Sequence, residues 1–184
     1  LWLRAAKFGG RRARGFNLVH GNALFDDPKI IEHALKWEIA FPEVTRVGGF
    51  DVILGNPPYD VLAGRELGQP LGPVLDAIAR DPVLKQSIHG KHNLYKLFLC
   101  RALAWVRPGG WMSMIVPLSL LGDRQARGVR RYLFEQSTIE QIDCFPQKDD
   151  RKRRVFEDAK QATVIVTVRR EAQPDPNAEF ALFT

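Results

Sequence analysis

Phe50-Asp51-Val52-Ile53-Leu54 is a compact apolar run, and it halts at once on Gly55-Asn56-Pro57-Pro58-Tyr59. β-Branched and aromatic residues bounded by turn signals predict a compact apolar strand, with Gly48-Gly49 marking its start and the prolines its end. Two successive prolines cannot extend a hydrogen-bonded ladder, because neither has an N–H and each fixes φ near about −65°. In an open α/β sheet, ligands bind beyond the carboxyl ends of the strands, which is where Asn56 to Tyr59 falls.

Working outward, short β-branched runs alternate with helical patterns, so the fold class is α/β with a mainly parallel sheet. Upstream, Leu1 to Lys7 reads as the tail of a helix broken at Gly9-Gly10, and Phe16 to His20 as a short strand ending at Gly21-Asn22. Asp27 and Pro28 predict a helix start, with Ile30, Ala34, Trp37 and Phe41 following at helical spacing. Downstream, residues 60 to 90 read as a long excursion with a helix at Pro73 to Ala79. Asn93 then caps a helix whose inward stripe is Leu94, Leu97, Phe98, Ala102 and Trp105. Pro108-Gly109-Gly110 ends it before a strand over Trp111 to Val116. A helix over Asp123 to Glu135 and strands over Ile139 to Phe145 and Ala162 to Val168 complete the domain, which takes in residues 1–171. Residues 172–184 read as a linker or the start of a following region, with a short strand at Phe180 to Phe183.

The 184 residues carry 27 Lys+Arg against 21 Asp+Glu, a formal charge of +6, with 45% apolar and 26% charged side chains. That balance excludes a disordered chain and supports one domain with a real core. Five cations and no acid fall within Leu1 to Phe16, leaving 22 cations against 21 acids elsewhere. Two further basic clusters stand at Lys148 to Arg154 and at Arg124, Arg127, Arg130 and Arg131, the latter spaced to share a helix face. Cations gathered on one side of the fold would suit phosphate; dispersed, they are solvated surface. Two cysteines, Cys100 and Cys144, provide no disulfide framework, which points to a reducing, cytoplasmic setting. The apolar stretch Trp111 to Leu121 is too short to span a bilayer, and no secretory signal is visible, so no membrane partner is expected. His20, His33, His89 and His92 lack metal-ligand spacing, so no metal is assigned.

The turn at 56–59 has a definite chemistry. Lacking N–H groups, Pro57 and Pro58 leave carbonyl oxygens facing outward, and the Asn56 amide adds another acceptor. Two convergent acceptors suit an exocyclic NH₂, which has two hydrogens to donate. Tyr59 adds a flat face on which a planar base can stack. An amine held this way becomes more nucleophilic toward an electrophilic methyl, and the positive charge that grows on nitrogen is stabilised by the same oxygens.

At these residues the chain resembles the N6-adenine-specific DNA methyltransferases of the NPPY class, found in type II and type IIG restriction–modification enzymes. LWLRAAK (1–7), NLVHGNAL (17–24), WEIAFPEVTRVGGFDVILGNPPY (37–59), KHNLYKLFLCRAL (91–103), GGWMSMIVPLSLL (109–121) and VFEDAKQATVIVTVRR (155–170) are similar to that family's successive motifs, in order. The resemblance implies a Rossmann-like class I S-adenosylmethionine-dependent methyltransferase fold: three αβα layers around a mostly parallel sheet. It implies that S-adenosyl-L-methionine is the cofactor, that Asn56, Pro57, Pro58 and Tyr59 are catalytic, and that Asn22, Ala23, Asn56 and Phe98 touch the cofactor. The substrate would be an adenine flipped from double-stranded DNA and held between Tyr59 and a second aromatic. Phe156 and Phe145 compete for that place; Phe156 is preferred because its spacing to the Ala162–Val168 strand keeps the family register without a gap.

The family's glycine-rich turn and its acidic ribose-binding residue are missing. The expectation is therefore a middle-to-late portion of a longer methyltransferase, incomplete at its N-terminal half and a poor cofactor binder alone, with residues 60–92 inserted near the active site. Restriction and sequence-specificity regions would be fused or separate, in a restriction–modification or related phage-defence system. Two other readings stay open: methylation of a different planar amine (protein glutamine, cytosine N4 or RNA adenine), and a non-catalytic nucleic-acid-binding module.

Overall fold

The computed structural model describes residues 18–64, 70–150, 152, 155–156, 160–171, 173–175 and 177–184. The helix expected at Leu1 to Lys7, the basic N-terminal stretch and much of the Lys148 to Arg154 cluster lie outside them. Among the described residues the frame is a five-stranded sheet: β1 (Phe50–Gly55), β2 (Val106–Pro117), β3 (Ser137–Phe145), β4 (Thr163–Arg170) and β5 (Ala181–Phe183), in the order β1-β2-β4-β3-β5. β1 pairs parallel to β2 and β3 parallel to β5, whereas β4 runs antiparallel to both of its neighbours. Parallel pairing of β1 and β2 needs a long crossover. The chain between them supplies it with helix α3 (Leu71–Arg80), a 3₁₀ turn (Leu84–Ser87) and helix α4 (Leu94–Trp105).

Register fixes which side of the sheet is covered. Met112, Met114 and Val116 of β2 face Val168, Val166 and Val164 of β4. These six are buried together with Leu99 and Leu103 of α4 and with Val129 and Leu133 of helix α5 (Arg127–Gln136). Each such aliphatic side chain contributes roughly 1.5–3 kcal/mol on leaving water. On the other side of the sheet Val52, Leu54 and Trp111 stay exposed.

A second core surrounds the opposite flank of α4, where Leu97 is buried with Leu24, Phe25, Leu62, Val74, Ile78 and Leu84. The excursion at 60–90 is therefore a packed element with its own core, not a loose loop. Serving two cores, α4 is buried on more than one face: Tyr95, Leu99 and Cys100 are covered, while Phe98 and Trp105, assigned to its inward stripe, are half-buried. At the start of β1, Trp37 packs against Trp105 with ring centroids 3.8 Å apart, and Phe41 and Phe50 close the same cluster.

Several expectations need correction. The helix expected from Asp27 onward is a single turn: the Asp27 carboxylate accepts from Lys29 N at 2.9 Å, and the chain then turns at His33, whose φ is 56°. Only two short helices follow, α1 (Trp37–Ala40) and α2 (Pro42–Arg46). The reason is long-range pairing. Asn22 N donates to His33 O at 2.7 Å and Leu35 N donates to Asn22 O at 3.0 Å, which diverts the backbone from a helical ladder. Residues 18–20 form no strand. The Asn93 side chain makes no cap bond to its helix. The helix expected over Asp123 to Glu135 is a 3₁₀ turn (Arg124–Ala126) followed by α5. The short strand expected at Phe180 to Phe183 is present over Ala181–Phe183, parallel beside β3.

Candidate active site

The 56–59 turn leaves the carboxyl end of β1 and is held from behind. Gly55 lies so close to β2 that a Cβ there would meet Met114 Sδ at 2.5 Å, so any larger residue would displace the Met114 side chain. Pro57 is buried and Pro58 exposed, so the first proline anchors the turn and the second forms its outer wall. Tyr59 donates from its hydroxyl to the Ile115 carbonyl of β2 at 3.3 Å, which ties the ring to the neighbouring strand. Burial pushes the Tyr59 phenol above its ordinary value of 10.0, so it stays neutral and remains a donor.

The start of α4 holds the other flank. Leu94 N donates to Asp60 O at 2.8 Å, Leu62 N donates to His92 O at 2.8 Å, and Val61 and Asn93 form an antiparallel bridge. Asn93 donates from Nδ2 to the Tyr59 carbonyl at 3.5 Å. Its role is thus to brace the turn, a task the sequence could not reveal because the same residue type in the same place reads as a helix cap. Ile115 left no signal at all, since it acts only through its backbone oxygen.

Asn56, Pro57, Pro58, Tyr59, Asp60 and Phe156 together line an open cleft of about 450 Å³. That volume falls within the roughly 300–1,000 Å³ typical of small-ligand sites. The Phe156 ring stands 6.4 Å from that of Tyr59 at 71°, edge to face. Phe145, its competitor, ends β3, pairs with Thr163 and does not line the cleft. Asn56 is exposed at the cleft mouth, so its amide is open to an incoming group.

Asn22 and Ala23 lie apart from this cleft, on the loop bridged to residues 33–35. The Asn22 carbonyl of the side chain accepts from Leu24 N at 3.0 Å, and the loop continues into Leu24 and Phe25 of the second core. Phe98, half-buried, packs against that same core. Leu24 and Phe25, which follow Asn22 and Ala23, thus share that core with Phe98. Arg101 of α4 fastens the loop from below, donating from Nε to Leu24 O at 3.1 Å and from Nη2 to Asp81 Oδ2 at 2.5 Å.

The sequence profile of the Eco57I restriction-modification methylases matches residues 2–150. The Escherichia coli type II restriction enzyme and methyltransferase RM.Eco57I is 26% identical over 129 residues, 70% of this chain and 12% of its own length. The chain thus spans about an eighth of that relative. Among solved structures, the DrdV–DNA complex superposes with a TM-score of 0.61 at 18% identity, over 93% of this chain and 18% of that one. A Listeria monocytogenes protein assigned to the class I S-adenosylmethionine-dependent methyltransferases superposes with a TM-score of 0.51 at 16% identity, over 74% of this chain and 38% of its own. These likenesses establish the fold as Rossmann-like, of the class I S-adenosylmethionine-dependent type.

Proposed function

The chain belongs to the Eco57I restriction-modification methylase family, and from that premise we propose that the protein carrying it methylates the N6 amine of adenine in DNA. The observation that carries this reading is the cleft itself, in which an exposed asparagine, a proline turn without N–H donors and two aromatic rings converge at the end of a parallel strand. An adenine stacked on the Tyr59 face would be closed in at its side by the Phe156 edge. Its amino hydrogens then point at the Asn56 amide oxygen and the carbonyls of the turn, which take both and stabilise the charge growing on nitrogen. The partner is double-stranded DNA, and the base must leave the helix to enter the cleft.

S-Adenosyl-L-methionine would supply an electrophilic methyl group. The residues present fit it in kind: Leu24 and Phe25, next to the Asn22-Ala23 turn, share with the Phe98 ring an apolar cluster suited to a planar heterocycle, and the Asn22 backbone is pinned by bonds to His33 and Leu35. Asn56 lies at the cleft mouth, where an amide can serve both the cofactor and the base.

Mass spectrometry of DNA from cells expressing the intact protein tests the reading. N6-Methyladenine is expected, and it should vanish with Asn56→Ala while DNA binding survives. Methylation that persists without Asn56, or appears only on cytosine N4, overturns it.

A further inference from the structure

Arg124, Arg127 and Arg131 meet the turn His89-Gly90 around a shallow cleft of about 420 Å³. These two chain segments are far apart in sequence, and the contacts that join them are specific. Lys96, only 1% exposed, sends its ammonium group to His89 O at 3.0 Å and to Gln125 O at 3.3 Å. The Gln125 side chain in turn accepts from Lys91 N at 2.9 Å. Gly128 completes the joint: a Cβ there would lie 2.3 Å from Gln86 O, so the first turn of α5 sits directly on residues 86–89. A buried lysine used as a bracket is costly unless its donors are satisfied, and here two of its three hydrogens are bound to the backbone of the two segments it joins.

The bracket has a chemical product. Arg124 and Arg127 are exposed at the rim, with Lys91 exposed on the facing turn. The acids nearby are occupied: Asp123 accepts from Gln125 N, and Glu135 pairs with Arg131. Arg130 is directed inward to the carbonyls of Leu120 and Asp123 and takes no part. Position matters as much as charge. Residues 89–92 run straight into Asn93, which touches the Tyr59 carbonyl, so Lys91 Cα stands within about 7 Å of Asn93 Cα and His89 within about 14 Å. A DNA strand rises about 3.4 Å per nucleotide. His89, on the turn that faces the arginines, therefore stands within about four nucleotide steps of Asn93, which braces the cleft turn.

We propose that Arg124 and Arg127, presented by the Lys96 bracket, grip backbone phosphates of the DNA strand that flanks the target base. The inference rests on the DNA-methylating reading above and assigns the strand a track across the surface. Contacts of this kind position the duplex without reading its sequence.

The test is the Arg124→Gln/Arg127→Gln double variant of the intact protein, assayed on the same DNA duplex across a salt series. Losing two phosphate contacts should flatten the slope of log binding constant against log salt by about 2. At low salt the KM for cognate DNA should rise about tenfold with kcat at saturating DNA unchanged, and binding should weaken equally on cognate and unrelated duplexes. Arg124→Lys/Arg127→Lys should restore the slope, because a point charge suffices for phosphate. A double variant that binds with the wild-type slope overturns this inference and leaves the methylation reading intact. So does a loss confined to one sequence. A wild-type protein that binds DNA with salt dependence yet never methylates it overturns the methylation reading while leaving the phosphate grip standing.

Discussion

Tyr59 does two jobs with one ring, and they can be separated. Its hydroxyl donates to Ile115 O, and its face lines the cleft. Tyr59→Phe removes only the hydrogen bond, at a cost of about 1 kcal/mol in stability, and methylation should fall no more than a few-fold. Tyr59→Ala removes the stacking face as well, worth about 1–3 kcal/mol per base, so base binding should weaken by about one to two decades. Thermal melts and binding titrations of the two variants give the comparison. Because burial raises the Tyr59 phenol, no alkaline limb of the pH profile should disappear in Tyr59→Phe. At this scale the sequence was informative where chemistry resides in side-chain type. Asn56 to Tyr59 could be picked out directly, and Phe156 by its spacing to β4. Asn93 and Ile115 could not, because bracing depends on where a carbonyl or an amide ends up after folding.

Among the elements, α4 is the one that serves both cores, and Arg101 shows how it ties distant segments together. Its guanidinium joins Leu24 O, on the loop after Asn22, to Asp81 at the end of α3. Arg101→Ala leaves Asp81 partly buried without its cation and should cost about 2–3 kcal/mol, read from urea unfolding. Asp81 itself supplies an acid test. Burial works against its charge, but the N–H of Leu84, the Arg101 guanidinium and the N–H of Val83 outweigh it, holding the carboxyl below its ordinary 3.8. A carboxyl depressed in the folded state stabilises above its unfolded value, and that stability drains away as pH falls through the folded one. Wild-type stability should therefore drop below about pH 3.8, with a shallower drop in Asp81→Asn. Strands were the more legible elements: β3 and β4 begin within a few residues of their expected positions, whereas β2 starts early, at Val106, and takes in the Pro108-Gly109-Gly110 expected to precede it. The stretch after Asp27 was not legible, although its N-cap signal and its 3.6-residue spacing are both real. Local helix preference there amounts to fractions of a kcal/mol per residue, and bridging between residues 22 and 33–35 prevails over it.

For the molecule as a whole, two cores meeting at one helix explain why Cys100 is silent. It is fully buried in the first of them, and burial pushes its thiol up to about 12. A thiol so far from ionised is a poor nucleophile. Alkylation of the folded protein should therefore spare Cys100 until denaturant is added, as peptide mapping would show. Fold class was readable at this scale because alternating strands and helices leave few topologies. The second core was not, since its members come from the Asn22 loop, the excursion and α4, three regions with no shared periodicity.

β1 carries a further consequence. Among the described residues it is bonded to β2 alone and stands at the margin of the sheet, with Leu54 74% exposed and Val52 53% exposed. A row of unclaimed amides beside greasy side chains invites another strand of any origin. These 184 residues prepared by themselves should consequently associate as their concentration rises. Light scattering should register the growth, and Val52→Lys should suppress it.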